Sequence, residues 1–190
     1  MTNIKNETLT PLYPTYVELC EMSLDEYPKL EQFLTLSKES YWLEHWHWGK
    51  AFLEYTGRNK SIHTYDRFRT DIERFLLWCF LINKTPLTEL RKTDILEYAD
   101  FCWQPPVTWI GFNNHERFYM ENAYFVPSTL WRPYKLQAPK SQINKEIDKK
   151  KYRPSQQTLT STFTALIVFY NYLMSEDLCL GNPVQIAKKD

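Results

Sequence analysis

Glycine is scarce in this chain, with 4 in 190 residues. A loop-rich all-β design draws heavily on glycine for its turns, so that class is disfavoured. No apolar run approaches the length of a membrane span, and the polar N-terminus does not resemble a signal peptide. The 4 cysteines (Cys20, Cys79, Cys102, Cys179) never form a C-x-x-C pair. Two of them sit inside helical apolar patterns, so reduced core thiols in a cytoplasmic protein are expected. Net charge is missing too, since 23 basic residues balance 23 acidic ones. A zero balance by itself argues against nucleic acid. The distribution says more: residues 1–36 hold 2 basic and 6 acidic side chains, which leaves the remainder at +4. An acidic lead-in before a mildly basic body is compatible with nucleic-acid binding without requiring it.

What is present is apolar surface, 43% hydrophobic and 16% aromatic, enough for one globular domain with a substantial core. The most informative stretch is Ser155 to Ser175. Leu159, Phe163, Leu166, Tyr170 and Leu173 line one face of a helix. The opposite face opens with Gln156, Gln157, Thr160, Ser161 and Thr164, polar but uncharged, where solvated faces usually carry Glu, Lys and Arg. No acidic residue lies between Asp148 and Glu176, while Lys149, Lys150, Lys151 and Arg153 stand just upstream. Free N–H groups and the helix dipole favour anions at such a start. Hydroxyls, amides and cations without carboxylates suit a phosphate backbone. The plainer alternative is a polar face that touches another part of the protein.

Three more helices precede it. Residues 1–36 read as an extended lead-in with Pro11, Pro14 and Pro28, then a short helix around Leu30, Phe33 and Leu34. A helix is expected over 40–56, with Trp42, Trp46, Phe52 and Leu53 inward and Gly57 as its C′ residue. His45 and His47 point about 200° apart on it, so one ion could not easily take both, and no metal or cofactor is expected. The helix over 61–82 has Ser61 as N-cap and an apolar stripe of Ile62, Tyr65, Phe68, Ile72, Phe75, Leu76 and Cys79. Thr64, Arg67, Asp71 and Arg74 share another of its faces, with Arg58 and Lys60 just before it, a pattern that an ordinary solvated face also explains. A third helix runs over 93–103, capped by Thr93, with Ile95, Tyr98, Ala99 and Cys102 buried. From Gln104 to Pro154 no period holds. The density of aromatics there nevertheless predicts that 107–136 packs against the helices, with basic 140–153 mobile when free. After Ser175 the chain turns at Gly181-Asn182-Pro183 into a polar tail.

The order of these pieces resembles the N-terminal core-binding domain of the tyrosine recombinase, or phage integrase, family. The carrying residues are Ala51-Phe52-Leu53, then Ser61-Ile62-His63-Thr64-Tyr65, Asp71, Phe75-Leu76 and Trp78. Leu87-Thr88-Glu89-Leu90, Thr93-Asp94-Ile95, Ser155, Thr158, the run Phe169 to Leu173 and Asn182-Pro183-Val184 follow in order. Trp131-Arg132-Pro133-Tyr134 is similar to a Trp-Arg-Pro-Phe element of some integrases. The resemblance covers roughly 40–187. It implies an all-α fold, a small four-helix SAM-like bundle with a long aromatic-rich insertion at 104–154 between the third and fourth helices. The domain would span 37–187, and 188–190 would begin a linker to a catalytic domain. The family's His-x-x-Arg pair is missing, since His115-Glu116-Arg117 has the wrong spacing, and the family's nucleophilic tyrosine has no counterpart here. The chain is therefore expected to bind without catalysing: the DNA-gripping half of a bacterial, phage or mobile-element recombinase, with duplex DNA and other recombinase subunits as partners and no membrane.

The resemblance carries DNA contacts onto Thr64, Arg67, Ser155, Gln156, Gln157 and Thr158. The residues themselves add Arg58, Lys60, Ser61, Lys149, Lys151, Arg153 and Ser161. The DNA is expected on the surface shared by the starts of the second and fourth helices, not on the aromatic insertion. Both starts pair a serine cap with a threonine three residues on and cations upstream, more than one cap requires. Two other function classes stay open: a helical domain whose aromatic insertion binds a protein, and an enzyme complete in this chain. No paired carboxylates, nucleophile and base, or phosphate loop support the latter.

Overall fold

The structure, a computed structural model, describes residues 9–36, 41–137 and 148–188. It is mostly helical. In chain order the helices are α1 (Tyr16–Glu21), α2 (Pro28–Thr35), α3 (Tyr41–Asn59), α4 (Ile62–Trp78), α5 (Lys92–Trp103), α6 (Gln156–Ser175) and α7 (Pro183–Lys188). The four expected helices are present as α3 to α6. Gly57, however, does not end α3, which continues to Asn59. A Cβ at Gly57 would stand 2.2 Å from the Tyr16 ring, so glycine there admits α1 rather than stopping α3. α4 extends through a π-helical turn, Cys79–Asn83, and ends where Lys84 adopts φ 58°. Ile62, expected on its apolar stripe, is exposed. α5 starts a residue early: the Asp94 carboxylate accepts the Arg91 N–H at 2.8 Å, so the acidic side chain caps this helix and Thr93 lies inside it.

The central helix is α4, packed against α3 and α6. Phe52 of α3 meets Phe68 of α4 and Phe169 of α6, while Phe75 of α4 meets Tyr98 of α5 and Tyr170 of α6. α7 replaces the expected polar tail. Asn182 caps it by accepting the Gln185 N–H at 3.1 Å, Pro183 fits its first turn, and Val184 is buried.

The lead-in is a larger departure. Thr10, Pro11, Leu12, Tyr13 and Pro14 are buried in the same core as α3 and α4. Prolines and all-round burial leave this thread without periodicity, and its backbone is satisfied by distant side chains. Glu73 of α4 accepts the N–H groups of Leu12 (2.8 Å) and Tyr13 (3.3 Å). Trp46 Nε1 donates to the Leu12 carbonyl (2.9 Å), and Tyr65 Oη and Arg69 Nη1 both donate to the Pro14 carbonyl (2.8 and 2.9 Å). Buried backbone groups are rarely left unpaired, and here side chains do the pairing.

The insertion is ordered against the helices as expected over 107–136, but it is not wholly irregular. Phe118–Glu121 (β2) and Tyr124–Pro127 (β3) form a hairpin, turned by Asn122 and Ala123 at φ 49° and 66°. Positive φ at both turn residues is the type I′ pattern, usually signalled by Asn-Gly and concealed here by alanine. Ile110–Gly111 (β1) pairs in parallel with Tyr134–Lys135 (β4). Trp131 and Tyr134 are buried, with the guanidinium of Arg117 over the first ring (5.7 Å) and that of Arg74 over the second (4.4 Å). Of the stretch expected to be mobile, 140–147 lies outside the described residues. Lys149–Lys151 forms a 3-10 turn in which Asp148 accepts the Lys150 N–H at 2.9 Å, and Tyr152 meets the Tyr134 ring at 5.7 Å, so 148–152 is held.

Glu73 also accepts from Arg117 Nε at 3.1 Å, so it joins thread, central helix and insertion. Glu73→Ala strands two N–H groups and a guanidinium, and is expected to lower unfolding free energy by about 3–5 kcal/mol. Urea melts check this; a loss below about 1 kcal/mol would show that the thread is anchored elsewhere.

Candidate nucleic-acid interface

α4 and α6 pack together through Asp71, in the middle of α4, which meets Thr162, and through Phe75, which meets Tyr170. Between them is an open groove of about 420 Å³ lined by Arg67, Thr70, Asp71, Arg74, Ser155, Gln157, Thr158, Ser161 and Thr162. Five of the expected site residues therefore share one surface: Arg67, Ser155, Gln157, Thr158 and Ser161.

The caps explain part of the pattern that suggested DNA. Ser61 Oγ accepts the Thr64 N–H (3.3 Å) and pairs with Thr64 Oγ1 (3.1 Å). Ser155 Oγ accepts the Thr158 N–H (3.1 Å) and pairs with Thr158 Oγ1 (2.8 Å). The second hydroxyl, which seemed to exceed capping needs, belongs to the cap itself. Each pair holds two hydroxyl hydrogens and spends one on the mutual bond, so one stays available to donate outward. What capping leaves unexplained is the basic and amide residues around the two starts.

Those divide. Arg58, Lys60 and Arg67 are exposed at the end of α3 and the start of α4, with Arg67 over the Phe68 ring at 5.2 Å. Lys151 is exposed, and Arg153 folds back so that Nη1 donates to the carbonyls of Lys150 (3.1 Å) and Tyr152 (2.6 Å). Lys149 lies over the Phe112 ring at 5.0 Å, beside a recess of about 280 Å³ that it lines with Pro105, Pro106, Tyr152 and Arg153. Gln156 and Gln157 separate as a helix requires. Gln157 faces the α4 groove, whereas Gln156 borders an apolar recess between α5, α6 and α7.

Thr70, Arg74, Asp71 and Thr162 also line the groove, beyond the expected site set. Arg74 donates from Nε to the Pro133 carbonyl at 2.7 Å, which aims its guanidinium along the insertion. The groove is not free of carboxylates, because α4 supplies Asp71 across the gap. Asp71 is buried and accepts from Thr162 Oγ1 at 2.9 Å. Burial raises its pKa, opposed by Arg74, the Thr162 bond and Arg67. The spacing Arg67, Asp71, Arg74 carried that signal, but only the packing of α6 makes it a groove wall.

The two histidines of α3 part as geometry demands: His47 is exposed, while His45 is 1% exposed between Tyr41 and Trp48. Among the described residues no group of three or more His, Cys, Asp or Glu side chains is placed to hold a metal ion. No described helix is long and apolar enough to cross a membrane. The cysteines are free thiols, Cys20 exposed and the others buried. Set against protein-family profiles, curated proteins and solved structures, the chain matches none.

Burial lowers the His45 pKa from 6.5 to about 4, and its Nδ1 has no hydrogen-bond partner. Between those pH values the unfolded chain takes up a proton that the folded one refuses. Stability is therefore lost as pH falls from 6.5 towards 4, by about 3 kcal/mol at 1.36 kcal/mol per pH unit. Denaturant melts of wild type and His45→Phe across this window test it. The variant is expected to lose less stability than wild type, and parallel curves would refute the assignment to His45.

Proposed function

We propose that this chain grips duplex DNA as the core-binding half of a tyrosine recombinase. One observation carries the reading: the start of α6 and the middle of α4 share an open groove lined by Arg67, Arg74, Gln157 and serine and threonine hydroxyls. The positive dipole end of α6, two guanidinium groups and hydroxyl donors are what a phosphate backbone requires, and Gln157 offers an amide able to pair with an adenine edge. The helices α3 to α6 follow the order of the family's SAM-like four-helix core, with the capped Asn182-Pro183 turn after it. Under this reading strand cleavage and joining belong to a catalytic domain that supplies the His-x-x-Arg pair and the tyrosine. The present chain positions DNA, beside other recombinase subunits, without cofactor or metal.

A second reading has its own observation. The β2–β3 hairpin exposes Tyr119, Met120 and Tyr124 at 44%, 59% and 50%, an apolar edge that a protein partner could cover.

Fluorescence anisotropy with a labelled duplex separates the two. The chain is expected to bind at micromolar or weaker affinity, the range of non-specific contacts, with strong salt dependence and no covalent adduct. Replacing both Lys151 and Arg153 with alanine is expected to weaken binding to all sequences alike and to reduce the salt slope by about one per lost phosphate contact. Gln157→Ala is expected to cost roughly 1–3 kcal/mol at a preferred site, while Gln156→Ala has little effect. Melts control for folding, since exposed changes cost within about 0.5 kcal/mol. An unchanged affinity and slope in normally melting Lys151/Arg153 and Gln157→Ala variants would remove the proposed surface. Covalent adducts would contradict the placement of the chemistry elsewhere.

A further inference from the structure

The groove does not end at α4. Thr70, one of its lining residues, accepts from Arg117 Nη2 of the insertion at 3.3 Å. Arg74, another, lies over the ring of Tyr134, and the next residue, Lys135, donates from Nζ to Asn114 at 2.6 Å. Arg69, two residues past Arg67 on α4, is half-buried and donates to Pro14 and Asp66. Five cations (Arg67, Arg69, Arg74, Arg117, Lys135) thus face three carboxylates (Asp66, Asp71, Glu73). Two of those carboxylates present little charge to solvent. Glu73 is 1% exposed and taken up by two backbone N–H groups and Arg117, and Asp71 is 4% exposed and bonded to Thr162.

The Lys135 ammonium registers this crowding. Burial first, and then the guanidinium groups of Arg117, Arg74 and Arg69, hold its pKa below the usual lysine range, with Glu73 opposing. Clustered like charges destabilise a fold unless an anion meets them. The row is also too long for one small anion. Arg67 and Arg74 are separated by about 10 Å along the helix axis at 1.5 Å per residue, and Lys135 adds to the Arg74 end. A polyanion with regularly spaced charges fits it better than free phosphate does.

We infer that the insertion completes the DNA-facing surface, with Lys135 meeting a backbone phosphate beyond those reached from the groove between α4 and α6. This rests on the DNA reading above and extends it onto a segment that the sequence placed away from DNA. The hairpin aromatics take no part: the contribution is ionic, from Lys135, with Arg117 fixed by Glu73 and directed at the groove edge.

Lys135 suits the test, because its hydrogen bond goes to exposed Asn114 and replacing it leaves the Glu73 network intact. Anisotropy titrations of the full chain with a labelled 30-base-pair duplex are run between 50 and 200 mM NaCl, on about the salt range over which phosphate contacts are resolved. Lys135→Gln is expected to weaken binding severalfold at the lowest salt and to reduce the salt slope by about 0.9, the value for one phosphate. Lys135→Glu is expected to weaken it further. Lys29→Glu makes the same charge change on α2 and is expected to bind nearly as wild type. If Lys135→Gln melts and binds as wild type while the Lys151/Arg153 variant is weakened, the extension falls and the DNA reading stands. If Lys29→Glu is as weak as Lys135→Glu, net charge rather than a contact is responsible, and the extension falls. If wild type binds no duplex at any salt, both fall together.

Discussion

The fold depends on one buried carboxylate. Glu73, in the middle of α4, is 1% exposed and is met by the N–H groups of Leu12 and Tyr13 and the guanidinium of Arg117. An ion this deep is tolerable only when its lone pairs are filled. Its partners come from two parts of the chain, the N-terminal thread and the insertion, that share no local sequence with α4. The same side chain therefore closes the N-terminal thread over α4 and fastens the insertion beside it. Because Arg117 is held at one end by Glu73, its other nitrogen reaches Thr70 on the groove wall. A contact made for folding thereby orders a charge at the candidate site.

α4 can serve as core, anchor and groove wall because a helix divides its perimeter. Tyr65, Phe68, Ile72, Phe75 and Leu76 are buried, with Tyr65 against α1, Phe68 against α3, and Phe75 against α5 and α6. Arg69 and Glu73 bind the thread, and Arg67, Thr70 and Arg74 line the groove. Asp71 sits between core and groove, where Thr162 satisfies it and the flanking arginines offset its charge. α6 is simpler. With no acidic residue along its length, it adds dipole, amide and hydroxyls and no opposing charge of its own.

The helices were legible in the sequence because burial on one face leaves a 3.6-residue trace, and the serine caps of α4 and α6 were legible because local hydrogen bonds need local residues. The thread was not, since Thr10 to Pro14 is buried on all sides and held by side chains some 30 to 60 positions away, a relation that spacing cannot encode. The cap of α5 was misread because Asp94 can reach back to Arg91 as well as Thr93 can start a helix. Gln156 and Gln157 looked equivalent on the page, and only the placement of α4 and α5 on either side of α6 tells them apart. Gly57 illustrates the limit of local rules: at the expected end of a helix, it is there for a ring that arrives from α1.

The zero net charge, which argued against a polyanion, bears on a different length scale. Glu18, Glu21, Asp25, Glu26 and Glu31 are exposed on α1, α2 and the turn between them, while the cations collect on α4, the insertion and the approach to α6. A chain of this length has a radius of gyration of roughly 16 Å. At physiological ionic strength exposed charges are screened over about 8 Å. An anion at the groove therefore responds chiefly to the charges that line it, Arg67, Asp71 and Arg74, rather than to the net charge of the chain. Within that radius the deciding quantity is which carboxylates are already spoken for. Glu73 is paired with Arg117 and Asp71 is buried against Thr162, and this leaves exposed Arg67 with the least opposed charge at the groove.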